Sequence, residues 1–223
     1  MSSSDREAAV RRPVTALPFR LHASVNCPPP AELAMSVAWE LGELDGDGVE
    51  RGLTALGTAI HPELETDAET QLRALGEAVT NAALAARHDG GPRELLIDEA
   101  LARGHAHPVL VAIILQEVGR RAGLPIGIVA GAHGHFLAHQ RLTEPLVLDP
   151  ATGRLTDPGA LGTMRWQCGH QLAATLLDLL EPRYERAGDL TRETQVARLR
   201  TTLPFDDMSD AEQRLNRVTA RQN

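Results

Sequence analysis

Apolar positions recur every three or four residues over most of the chain, which is the period of a helix with one buried face. Leu33, Val37 and Leu41, with Ala34, Ala38 and Trp39 beside them, predict a helix that starts at or just after Pro30 and ends near Leu44. The triplet Pro28-Pro29-Pro30 presets that start. Leu53 and Leu56 mark a second helix near 49–59. Leu72, Leu75, Val79, Ala82 and Ala83 mark a third, opened by Thr66-Asp-Ala-Glu69, a capping box in which the Thr oxygen and the Glu side chain satisfy each other's orphan amides. His88-Asp-Gly-Gly-Pro92 breaks the pattern and is the best internal boundary. Leu95–Leu101 reads as a short helix. Leu172, Leu176, Leu177, Leu179 and Leu180 form the core face of a strong helix that Pro182 should bend or end. Two more helices follow near 191–201 and 209–219, the last opened by Ser209-Asp-Ala-Glu212. Phe19–Ser24 reads as a short extended piece, and residues 1–17 as a loose lead-in.

Two segments depart from this amphipathic rule. Pro108–Arg121 is apolar nearly all round, so it must be buried on most faces. Its ends are well marked. Pro108 suits the first helical position, where its missing N–H would be an orphan anyway. Arg120 and Arg121 suit the last turn, and Gly123 a left-handed stop. After it come β-like runs, Ile126–Ala130, then His135-Phe-Leu137, then Leu146-Val-Leu-Asp149. The prediction is an α+β fold, mostly helical. A central buried helix packs on a small antiparallel sheet, with helices before and after it.

Composition agrees. The chain has 223 residues and only 3% aromatics, so Leu, Ala, Val and Ile must fill the core, which favours helical packing over a β-sandwich. A formal charge of −8 and the lack of a basic stripe argue against a nucleic-acid partner. No apolar run reaches the roughly 18 residues that span a bilayer, and the start has no apolar signal region. Two cysteines are too few for a disulfide framework, so a cytoplasmic, reduced protein is expected. Asp45-Gly-Asp-Gly48 lacks the twelfth-position Glu of a calcium loop and reads as a solvated turn.

Five of the nine histidines lie between His105 and His139. A buried helix whose N-terminus opens into a cleft is a good seat for a nucleophile, because its free amides stabilise an oxyanion. His135 opening one strand and Asp149 ending the next can approach if the strands pair antiparallel. The Asp would then hold the imidazole's tautomer. Helix N-terminus, strand His, strand Asp is the order of a papain-like Cys–His–Asp site. The alternative for His135 is a structural histidine at a strand edge. His133, His135 and His139, with His105 and His107, are weak metal candidates, since no helical His-x-x-x-His or Cys-x-x-Cys supports them. Cys168, two residues before His170, is either a displaced nucleophile or a small buried hydrophobe. No cofactor is implied.

Several segments resemble the transglutaminase-like SirB family, a branch of the transglutaminase-like superfamily. They are Leu96-Ile-Asp-Glu-Ala-Leu101, the helix 108–124, Gly134-His-Phe-Leu137 and Leu148-Asp-Pro150. Cys168-Gly-His170-Gln, Arg186-Ala-Gly-Asp-Leu190 and Leu199-Arg-Thr-Thr-Leu-Pro204 are similar to the helical C-terminal part of bacterial members. The resemblance covers roughly residues 30–205. It implies a helical N-terminal layer (18–90), a transglutaminase-like core (91–162) and C-terminal helices (163–223). It also implies a nucleophile in the first turn of the central helix, Cys in transglutaminase-like enzymes and often Ser in SirB-like proteins. Here the matching position is Leu110. His135 and Asp149 are present, but what they would activate is missing. The expected function is therefore a non-catalytic binding or accessory module for an unidentified protein or small molecule, with a homodimer open. The alternative is a hydrolase or acyl-transfer enzyme using His135 as general base and Asp149 to orient it.

Overall fold

The structure is a computed structural model describing residues 18–42, 44–59, 67–81, 84–142, 146–205 and 208–221. At its centre is α6 (Pro108–Arg121), whose Val109, Leu110, Val111, Ala112, Ile113, Ile114, Leu115 and Val118 are all buried. It ends as its sequence predicts, with Gly123 in the left-handed region at φ 77°. Helices α2 (Pro30–Leu41), α3 (Gly46–Ala59), α4 (Ala68–Asn81) and α7 (Gly169–Ala187) cover α6 on one side. On the other lies a five-stranded sheet with strand order β6-β5-β4-β3-β7. Its strands are β3 (Ile126–Gly131), β4 (Gly134–His139), β5 (Val147–Asp149), β6 (Arg154–Thr156) and β7 (Arg165–Trp166), each antiparallel to its neighbours. Strand alternation divides the sheet's side chains. Ile128, Leu137 and Leu148 join the main core beside α6, and Val129, Phe136 and Val147 form a smaller cluster on the opposite face with Leu161 and Met164. The expected α+β, mostly helical fold with a small antiparallel sheet is what the chain adopts.

Around this centre α5 (Ile97–Arg103) follows a 3-10 turn at Pro92–Leu95 and packs on α3. Helices α8 (Leu190–Thr201) and α9 (Met208–Ala220) stack on α7 in series. The main core runs from Phe19 to Leu203 without interruption. No described helix is long and apolar enough to cross a membrane.

Several local expectations change. Phe19–Ser24 is not extended: Phe19–Ala23 forms a short helix, α1. Phe19 is fully buried and its amide donates to Glu40 Oε1 at 3.2 Å, so docking on α2 holds a segment too short to be helical alone. Helix α2 stops at Leu41, where Gly42 goes extended. The Asp45–Gly48 turn becomes the start of α3, because Asp45 Oδ1 accepts the Gly48 amide at 2.8 Å and caps the helix. Thr66 lies outside the described residues. The cap of α4 comes from Asp67, whose Oδ1 accepts the Thr70 amide at 3.0 Å. Ser209 falls within α9 rather than before it. Pro182 does not end α7, which continues to Ala187. Leu177 and Leu180 before it and Tyr184 after it are buried, and that packing outweighs one lost backbone bond. A two-residue parallel pairing of β1 (Ala85–Ala86) with β2 (His105–Ala106) was not legible in the sequence. Nor were the short strands β6 and β7.

Helix α4 crosses the β5–β6 turn at Gly76. A Cβ there would stand 2.3 Å from the Gly153 carbonyl oxygen, and Gly153 itself has φ 67°. Gly76→Ala should therefore cost about 1–3 kcal/mol. Gly57→Ala, inside α3 with nothing within 4 Å, should instead gain up to about 1 kcal/mol of helix stability. Thermal unfolding checks the pair: the two midpoints should move in opposite directions.

Candidate functional site

The N-terminus of α6 is built by His107. This residue precedes Pro108 in extended conformation, and its Nδ1 accepts the Val109 amide at 3.4 Å. Its own amide donates to the Glu94 carbonyl at 2.8 Å, tying the helix start to the preceding 3-10 turn. In front of it opens a cleft of about 420 Å³ lined by His88, Val109, His135, Asp149 and Thr156 among others. The His88 and His107 rings meet edge to face with centroids 5.7 Å apart. His88 is brought there from the 88–92 loop, and Arg183 of α7 pins that loop. Its Nε donates to the Gly90 carbonyl and its Nη2 to the His88 carbonyl, both at 2.9 Å.

The cleft holds neutral imidazole. Burial brings His107 from an ordinary 6.5 down to about 4, aided by the charges of Arg183, His88 and His135. Burial also lowers His135. His135 shares a strand face with Leu137, on the helix-facing side of the sheet.

Asp149 reaches the same cleft from a different position. The β4–β5 ladder pairs Leu137 with Leu148, a register that sets Asp149 level with Phe136, one residue off His135. Both carboxylate oxygens serve the β5–β6 turn: Oδ1 accepts the Ala151 amide at 2.8 Å and Oδ2 the Thr152 hydroxyl at 2.9 Å. Among the described residues no hydrogen bond or ion pair joins Asp149 to His135. The two residues share a cleft without forming the expected hydrogen-bonded pair.

Leu110 is fully buried and does not line the cleft, whereas Val109 does. Successive helical residues are turned by about 100°, so one residue decides which side chain faces the opening. Cys168 is elsewhere. It caps α7 in a reciprocal box with Gln171 and lines a separate cleft. His170 is buried, with Nε2 donating to the Ala23 carbonyl at 3.0 Å.

The histidines do not gather a metal: among the described residues no group of three or more His, Cys, Asp or Glu is placed to hold one. His133 is exposed on the β3–β4 turn. His139 is four residues from His135 along β4, about 13 Å at strand rise. It is buried against Gln71, with Nε2 and Oε1 2.9 Å apart. His105 pairs with Glu94 at 3.4 Å. Sequence reasoning missed His88 and Arg183. Neither lies at a telling spacing from His107, and only the packing of α7 on the 88–92 loop joins them.

Comparison with known proteins now has a site to refer to. The family model described as the transglutaminase-like superfamily matches residues 48–185. The chain belongs to that superfamily. Among solved structures it is similar to the crystal structure of menin that reveals the binding site for Mixed Lineage Leukemia (MLL) protein. The TM-score is 0.50 and the identity 11%, over 91% of this chain and 60% of that one. That likeness is one of fold, and the chain spans less than two thirds of the menin chain. No curated protein matches.

The neutral imidazoles make stability pH-dependent with a definite sign. The folded chain keeps His107 uncharged down to about 4, while the unfolded chain takes up a proton below 6.5. Acid therefore favours unfolding across that interval, and stability is complete only above it. The thermal midpoint should fall as pH drops from 7 to 4, and fall less in His107→Gln. An equal fall in the variant would remove His107 as the cause.

Proposed function

We propose that this is a SirB-like, bacterial-type, cytoplasmic member of the superfamily that binds a protein or small-molecule partner at the α6 cleft and does not turn it over. The observation that carries this reading is the identity of the residues α6 presents there. They are His107, Pro108 and Val109, with no thiol among the residues lining the cleft. Acyl transfer through a thioester needs a sulfur at that helix start, facing the histidine. Leu110, the position the resemblance matches to that nucleophile, is spent in the core. The engagement of both Asp149 oxygens with their own turn fits the same reading, because among the described residues neither is hydrogen-bonded to His135.

A second reading rests on His135. A half-buried imidazole whose neutral form burial favours can take a proton from water, and Asp149, which lines the same cleft, would orient it after a rearrangement of the 149–152 turn. The two readings separate in one assay. Ester hydrolysis and amine incorporation into a glutamine peptide are measured from mildly acid to mildly alkaline pH with the wild type, His135→Ala and Cys168→Ala. The binding reading expects no rate above the protein-free control in any of them. A rate that is lost in His135→Ala, kept in Cys168→Ala, and that rises through the imidazole range would replace it with the hydrolase.

A further inference from the structure

The chain's only two cysteines line one cleft beside the later turns of α6. Cys27 ends the exposed 24–27 loop between α1 and α2, and Cys168 caps α7. Both thiols are free, and both line a cleft of about 520 Å³ walled also by Pro28–Pro30, Gln116 and Trp166. The segments that carry them are clamped at two points. His170 Nε2 donates to the Ala23 carbonyl at 3.0 Å. Gly169 lies so close to Pro28 that a Cβ on it would be 2.1 Å from the Pro28 carbonyl oxygen. Each cysteine is the chain neighbour of a residue in that second contact. Cys27 is also the one non-glycine residue among those described with φ in the left-handed region, at 52°, a conformation held against its own preference by its surroundings.

We propose that Cys27 and Cys168 are an oxidisable pair that closes into an intramolecular disulfide across the mouth of this cleft. A disulfide needs the two Cα atoms about 4.4–6.8 Å apart. The backbone contact at Pro28 and Gly169 holds the two segments together beside the cysteines, and the exposed 24–27 loop is the part that would move to close the bond. The oxidant is a peroxide. The exposed Cys27 sulfur attacks one peroxide oxygen, the O–O bond breaks, and the alcohol (or water) leaves, making a sulfenic acid. The Cys168 sulfur then attacks Cys27, expelling water as the S–S bond forms. Two thiols lose two hydrogens and two electrons, and the peroxide takes them up as alcohol and water. The bond would fasten the α1–α2 loop to the start of α7 and bridge the cleft beside Trp166. A thiol reductant of the kind a reducing compartment holds would open it again, which makes the pair reversible.

The test treats the purified full chain with hydrogen peroxide, blocks remaining thiols with iodoacetamide, and weighs the intact protein without reductant. The expected product is a monomer lighter by two hydrogens and carrying no alkyl group. Digestion should give a cross-linked peptide pair containing Cys27 and Cys168. Its thermal midpoint should rise by several degrees, since the bond closes a loop of more than a hundred residues in the unfolded chain, and a dithiol should reverse the rise. Cys27→Ser and Cys168→Ser should each fold, lose the cross-link and lose the peroxide-induced rise. Doubly alkylated protein after peroxide, sulfinic acids on separate cysteines, or disulfide-linked dimers in place of the internal bond would each overturn the proposal.

Discussion

A helix as apolar as the first turns of α6 is unstable until those faces are covered, and the rest of the molecule is arranged to do that. Each buried Leu, Ile or Val is worth roughly 1.5–3 kcal/mol when removed from water, but only if something packs against it. Helices α2, α3, α4 and α7 supply one part of the cover and the inner face of the sheet the rest. The consequences reach both clefts. The first turn of α6 borders a cleft where the 88–92 loop and β4 also meet, and the imidazoles of His88, His107 and His135 gather there. Its later turns border a second cleft with the 27–31 segment and the start of α7, which the two cysteines line.

The first cleft gathers side chains from three separate elements of the superfamily's architecture. A helix start, a strand histidine and a strand aspartate are all present and all line one opening. The connections between them differ from a working triad. The helix start offers an imidazole, a proline and a valine, and the aspartate caps its own turn at Ala151 and Thr152. Burial holds His107 and His135 neutral.

Much of the fold was legible in the chain. The limits of α6 from Pro108 to Arg121, its left-handed stop at Gly123 and its burial on most faces all followed from local rules. So did β3, β4 and β5, because strand alternation and helical period are properties of adjacent residues. The misreadings were short elements whose conformation depends on what they touch. Phe19–Ala23 is helical because Phe19 is buried against α2, and α7 runs through Pro182 because both sides of it are packed.

The sequence by itself determined which side chains were available: histidines at 107 and 135, an aspartate at 149, no thiol near 108–111 and only two cysteines in all. It also determined the class of fold, since the order of a buried helix followed by three strands leaves few ways to cover that helix. Tertiary structure alone decided who meets whom. Whether Leu110 or Val109 faces the opening is a matter of helical phase, and whether Asp149 stands level with His135 or Phe136 a matter of one residue of register. The meeting of His88 with His107, and the shared cleft of Cys27 and Cys168, join residues far apart in the chain. Local pattern carries no information about such encounters, because they are set by how the elements pack around α6.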